Sequence, residues 1–128
     1  MDSIEKGLVN IEKAIAKYFN EGKLKEILQF FDGGHFIGFS STKHERVTNL
    51  SALKKTFQHY LEEGDKVTYS INNIKVNIYG EGALTTFYWQ VNIEKKKKVK
   101  KIDGRGSHVF LMLDDGWKIV HEHYSKAH

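Results

Sequence analysis

The sequence predicts an α+β domain in which three helices, all in the N-terminal half, pack on an antiparallel sheet made mainly by the C-terminal half. Two observations carry this. Apolar residues recur at helical spacing up to residue 64, and from Lys66 onward the period switches to two. With 128 residues and no proline, the chain is long enough to bury a sizeable core without interrupting any element, and it is read as one domain, residues 1 to 128.

Ile4, Leu8, Ile11 and Ile15, continued by Tyr18 and Phe19, predict a helix over residues 3 to 20 that stops at Gly22. Leu24, Ile27, Leu28 and Phe31 repeat the pattern in a shorter helix over residues 23 to 31, ended by Asp32, Gly33 and Gly34. Residues 35 to 39 form a short β-rich run, followed by a polar loop over residues 40 to 46. Thr48 or Asn49 caps a third helix with Leu50, Leu53, Phe57, Tyr60 and Leu61 on one face, ending at Gly64.

Val67, Tyr69 and Ile71, then Val76 and Ile78, alternate with polar residues before the turn at Gly80, Glu81 and Gly82. Strands over residues 83 to 93, 102 to 113 and 117 to 124 follow, the first two joined by a lysine-rich turn and the last two by Asp114, Asp115 and Gly116. The order is α-α-β-α-β-β-β-β. In the run from Val109 to Leu113 both alternating faces are apolar, although the helices can cover only one, so the other face is expected to meet a second copy in a homodimer.

Composition excludes several classes. The chain has no cysteine, and therefore no disulfide, thiolate metal site or cysteine nucleophile; a reducing, cytoplasmic setting is expected. Charges interrupt the N-terminal apolar residues, and no apolar run reaches the length that spans a bilayer, so neither secretion nor membrane association is expected. The net charge of +4 comes almost wholly from lysine, Arg46 and Arg105 being the only arginines, and much of it sits at Lys95 to Lys98, Lys100 and Lys101. That pattern describes a solvated hairpin tip better than a nucleic-acid surface, which favours arginine forks and exposed aromatics. No glycine-rich phosphate loop and no serine elbow occurs, so nucleotide-dependent and serine-hydrolase chemistry are unsupported and no cofactor is expected.

The helix-helix-strand opening, the segment HFIGFSSTKHERVTNLSALKKTF from His35 to Phe57 and the closing phrase DGWKIVHEHYS from Asp115 to Ser125 resemble the SnoaL-like branch of the nuclear transport factor 2-like superfamily. The resemblance covers essentially the whole chain. It implies a cone-shaped fold with a strongly bent mixed or antiparallel sheet, whose cone holds a small molecule in many relatives. Carried over by position, the cone would be lined by Phe39, Trp89, His108, Glu122 and Tyr124, with His35 near the mouth. The general-base aspartate of the related ketosteroid isomerase falls on Phe39 and its oxyanion tyrosine on Ile15, so that mechanism is not expected here. The arginines with which the calcium/calmodulin-dependent kinase association domain grips acidic ligands fall on His108 and Tyr124, which argues against strong carboxylate binding.

Strand alternation puts Val120, Glu122 and Tyr124 on one face and Trp117, Ile119, His121 and His123 on the other, and the resemblance points the first set inward. A carboxylate in an apolar cone loses its water and becomes a proton acceptor near neutral pH, with His108 across the adjacent strand as partner. The preferred reading is that a lysine or a tyrosine hydroxyl satisfies Glu122, which then merely orders the pocket wall. His121 and His123 share a face and could chelate a metal only if further ligands converged; packing at a subunit contact is the better reading, and no metal is expected. Phe39, Phe87 and Trp89 could clamp a flat ligand or merely fill the core. Arg105, at odd parity to His108, is expected to face solvent or a partner. Three functions stay open: a protein binding a small, mostly apolar molecule, a cofactor-free isomerase, cyclase or dehydratase using Glu122 or His108 to move a proton, and a structural association module.

Overall fold

A computed structural model describes residues 3–127. Its elements are α1 (Ser3–Asn20), α2 (Leu24–Leu28), β1 (Ile37–Phe39), α3 (Leu50–Leu61), β2 (Lys66–Tyr79), β3 (Gly82–Lys95), β4 (Lys98–Leu113) and β5 (Gly116–Lys126). The strands form one sheet in the order β1-β5-β4-β3-β2. Helices on the inner face of a curled sheet give an α+β cone. The sheet is mixed because β1 runs parallel to β5, through Ile37↔His121, Gly38↔Glu122 and Phe39↔His123, whereas the other pairs are antiparallel.

The first helix buries Leu8, Ile15 and Phe19 of its expected apolar stripe together with Glu12 and Ala16, while Ile4 at its start is 37% exposed. It ends where Gly22 turns to a φ of 73°, a backbone state that costs glycine little. Gly22 N–H then bonds to Phe19 O at 3.0 Å and Lys23 N–H to Tyr18 O at 2.9 Å, which satisfies the carbonyls a helix end leaves over. Asn20 fixes this end of the helix on edge strand β2: its amide donates to Tyr69 O at 2.9 Å and its carbonyl accepts from Tyr69 N–H at 2.7 Å. For α3 the cap is Asn49, whose Oδ1 accepts from Ala52 N–H at 2.8 Å.

The second helix is shorter than its apolar pattern. Phe31 bridges to Ile119, Asp32 N–H donates to Ile119 O at 2.9 Å, and Ile119 N–H donates to Phe30 O at 2.8 Å. Backbone that helical spacing assigned to α2 is thus used by the sheet. The hairpin between β3 and β4 is longer than expected, since pairing runs out to Lys95↔Lys98 and only Lys96 and Lys97 make the turn, with φ of 50° and 65°. Among the described residues no helix is long and apolar enough to cross a membrane.

Two bulges decide which side chains enter the cone. In β2 the register shifts between Asn72 and Lys75, with Asn73 at a φ of 55°. In β5, Phe110 pairs with Ile119 and Val109 with His121, so Val120 is the extra residue. The bulge overturns strict alternation there: Ile119, expected outside, is fully buried, and Val120, expected inside, borders an outer depression with His121 and Leu111. Past the bulge, Glu122 and Tyr124 face inward as expected.

The inner face of β4 explains the Gly-Arg-Gly sequence at residues 104 to 106. Gly104 lies opposite Trp89 and Gly106 opposite Phe87. A Cβ on Gly104 would sit 2.1 Å from Trp89 Cζ2, and one on Gly106 2.4 Å from Phe87 Cε1. Both rings therefore lie across glycine backbone, and the Trp89 indole N–H donates to Arg105 O at 3.0 Å. Arg105 itself is exposed on the outer face, as its parity predicted.

Candidate functional site

A cavity lies between the helices and the inner face of the sheet. Ile15 and Phe19 of α1 and Thr56, Phe57 and Tyr60 of α3 line one side of it. Tyr69 of β2, Trp89 and Val91 of β3, and Glu122 and Tyr124 of β5 line the other, and Ser40 and Ser41 border it from the loop after β1. Its volume is about 30 Å³, space for a water molecule or two. The cone is thus largely filled by its own aromatic side chains. Trp89 stacks on Tyr124 with centroids 5.8 Å apart at 28°, and Tyr60 meets Trp89 edge-on at 6.3 Å.

Polar groups are few and placed at two ends. Near the loop, Ser41 Oγ and Tyr60 Oη share a hydrogen bond of 2.7 Å, and burial raises the Tyr60 phenol above its ordinary value. On the sheet side, Tyr69 Oη and Tyr124 Oη are 3.1 Å apart. Burial drives both phenols well above their ordinary value, so both keep their protons. Only one of the two protons can serve the hydrogen bond between them, which leaves the other to be donated elsewhere.

Behind Glu122 lies a buried chain of charge. His108 Nε2–H donates to Glu122 Oε1 at 2.9 Å, and His108 Nδ1–H donates to Glu12 Oε2 at 2.7 Å and Oε1 at 2.9 Å. The Thr85 hydroxyl donates to Glu12 Oε2 at 2.6 Å. Glu12, Thr85, His108 and Glu122 are the buried polar and charged side chains among the described residues. Burial alone would strip His108 of its charge, but the adjacent Glu12 carboxylate, then its hydrogen bond and those of Glu122, outweigh that and push the imidazole up to about 10. His108 is therefore a cation with both ring N–H groups engaged.

Of the residues expected to line the cone, Trp89, Glu122 and Tyr124 border this cavity. His108 stands one layer behind, touching Phe87, Phe31 and Tyr124 ring to ring. Phe39 does not line the cavity. It pairs with His123 in register, its ring 5.6 Å from the His123 ring and under the Arg46 guanidinium, because parallel pairing with β5 gives Phe39 the outward parity of His123. Ser40 and Ser41 take its place. His35 is also away from the cavity: it is exposed and bonds to Asp32 Oδ2 at 2.8 Å, a contact that holds the Asp32 carboxyl below its ordinary value. Phe87 packs beneath Tyr124 at 5.6 Å rather than reaching the cavity. His121 bonds through Nδ1 to Ile37 O at 2.9 Å, and among the described residues no group of three or more His, Cys, Asp or Glu has metal-holding geometry.

Sequence reasoning missed Glu12, Thr85 and Tyr69. For Glu12 a signal existed: it lies four residues after Leu8 and three before Ile15, on the apolar stripe of α1, where a carboxylate has no reason to be unless a partner waits across the core. Thr85 and Tyr69 carry none, being ordinary strand residues.

Helices packed on a curled five-stranded sheet enclose this cavity. The sequence model of the SnoaL-like domain matches residues 9–128, and the chain belongs to this family. No curated protein matches it. Among solved structures it is similar to the CaMKII hub of S. rosetta, with a TM-score of 0.84, 19% identity and 99% of each chain covered. It is also similar to a nuclear transport factor 2-like superfamily protein of Salmonella enterica, with a TM-score of 0.82, 19% identity, and 96% of this chain and 90% of that one covered. A third is a candidate dehydratase of the same superfamily from Streptomyces avermitilis, with a TM-score of 0.83, 13% identity, and 99% of this chain and 98% of that one covered. At such identities the likeness is one of fold.

Proposed function

We propose that the protein binds a small, mostly apolar molecule in the cavity beside Trp89. The observation that carries this is the combination at one place of an aromatic wall, formed by Tyr60, Trp89 and Tyr124, with a few polar groups at its ends. A core that served only stability would be better filled by aliphatic side chains than by Glu122 and a pair of buried phenols. The ligand enters by displacing half-buried Phe57 and the Ser40–Ser41 segment, which together border the cavity on the helix side.

Trp89 is the reporter. In a Trp117→Phe background, an apolar fluorescent or aromatic probe is expected to quench Trp89 emission saturably. Val91→Phe, which puts a ring into the void, is expected to abolish the quenching while the protein still melts cooperatively. Linear, unsaturable quenching that Val91→Phe leaves untouched would remove the reading.

A second reading, proton transfer in a cofactor-free isomerisation or dehydration, is favoured by the position of Glu122 at the cavity wall. On this reading, since His108 holds both ring N–H groups in hydrogen bonds and has no lone pair to offer, Glu122 would be the base and His108 the group that orients it. Glu122→Gln would then stop turnover, which a pure binder never shows.

The outer face supports a second copy. Ile37, Leu111 and Tyr88 stand exposed there, at 43%, 39% and 53%, flanked by half-buried Leu84 and Val109. A homodimer is expected in sedimentation equilibrium at micromolar concentration, and Leu111→Glu is expected to shift it toward monomer; a wild-type monomer would count against it.

A further inference from the structure

We propose that the ligand class of this cavity is a small organic ammonium ion, held by an aromatic cage whose inner end is a buried carboxylate. This rests on the reading that the cavity binds a small molecule at all, and adds the charge of what it binds.

Charge counting comes first. Two carboxylates, Glu12 and Glu122, converge on one imidazole, so the buried cluster sums to one negative charge when all three are ionised. Among the described residues the cavity wall carries no lysine or arginine to balance it. An uncompensated charge in a low-dielectric interior is costly, and a cationic ligand is the partner that relieves it.

Hydrogen bonding points the same way. Glu122 is 4% exposed, its Oε1 accepts from His108, and among the described residues its Oε2 has no protein partner, while the residue lines the cavity. No fully buried side-chain oxygen among the described residues lacks a partner, so Oε2 keeps some access to the void, where it can accept from an N–H or O–H donor. Glu12, by contrast, is fully used, with His108 on both oxygens and Thr85 on one.

The walls supply the rest. Trp89 and Tyr124 stack on each other, Tyr60 stands edge-on to Trp89, and Phe19 tilts against Tyr69 at 5.6 Å, so rings from both helices and sheet surround the void. Aromatic faces carry negative quadrupole potential and attract cations, most of all when desolvated. An anion would meet Glu122 and these faces with no compensating charge, and a neutral ligand would leave the cluster's charge unanswered.

The test uses three probes of one shape at pH 7: benzylamine, a cation, benzyl alcohol, neutral, and benzoate, an anion. Binding is read by Trp89 fluorescence in the Trp117→Phe protein. Benzylamine is expected to bind about tenfold or more tightly than benzyl alcohol, the worth of a charge-assisted hydrogen bond and a cation–π contact, and benzoate more weakly than either. Glu122→Gln is expected to erase the amine's advantage while benzyl alcohol still binds. Because that variant disturbs a buried pair, Glu12→Gln is the second arm: it removes charge from the cluster without touching the cavity wall, and is expected to narrow the advantage. Equal affinity for amine and alcohol, or an advantage that both variants leave intact, overturns the proposal while sparing the small-molecule reading. Silence from all three probes overturns both.

Discussion

His108→Leu is expected to cost roughly 3–5 kcal/mol, enough to lower Tm by roughly 10 °C or more. The reason is what it leaves behind. Glu12 and Glu122 lose the cation that bonds to both, and among the described residues no other positive partner bonds to either carboxylate. The Glu12→Leu, His108→Leu, Glu122→Leu triple variant removes every charge at once and is expected to recover much of the loss, as apolar replacements of buried ion networks often do. A His108→Leu protein as stable as the wild type would refute the charge assignment.

The same cluster fixes a pH dependence. The folded imidazole is raised from 6.5 to about 10. Below pH 6.5 both folded and unfolded chains hold the proton, so the contribution of His108 is fully present and flat. Between 6.5 and 10 only the folded chain holds it, so stability falls as pH rises, at about 1.4 kcal/mol per unit. The difference in stability between wild type and the triple-leucine variant is therefore expected to decline across that window. The other titratable groups facing His108 are Glu12, Glu122 and Tyr124, with Tyr69 beside Tyr124; both phenols are raised, so their effect on stability begins only near pH 10. A difference that stays flat from pH 7 to 9 would show that the imidazole is buried neutral.

Gly106→Ala is expected to cost about 1–3 kcal/mol. Its Cβ would lie 2.4 Å from Phe87 Cε1 and 2.7 Å from Phe87 Cζ, and that ring is held by His108 and Tyr124. Moving Phe87 therefore disturbs the support of Tyr124 in the cavity wall. In a Phe87→Leu background the alanine should be tolerated far better, with a coupling beyond about 1 kcal/mol in a double-mutant cycle followed by urea denaturation. Additive costs would mean that the glycine is needed for backbone reasons instead. Gly104 is more constrained, since its Cβ would also meet Ser125 O at 2.4 Å, which is backbone and cannot swing aside.

The positions of some residues bordering the cavity were legible in advance. Glu122 and Tyr124 follow from strand parity joined to a family resemblance, because alternation assigns a face even when the distant partner is unknown, and Trp89 follows from the resemblance alone. Phe39 was placed in the cone by position from the resemblance alone, whereas its face is set by parallel pairing with β5. Val120 and Ile119 failed because a bulge adds one residue and reverses the count, and nothing in the local sequence marks it. Glu12 lies 96 residues from His108, so its role exists only once helix and strand are brought together.

What the sequence determined by itself was local: where helices start and stop, where the period changes from helical to strand, and that a mixed α+β layering results. Those are settled by dihedral preference and by which face of each element shuns water, and both act within a few residues. What only the tertiary structure decided was the charge of the interior and the openness of the cavity. A carboxylate on an apolar stripe reads as an error until a histidine from the far end of the chain is laid against it, and a void is a property of how side chains from five elements fail to meet.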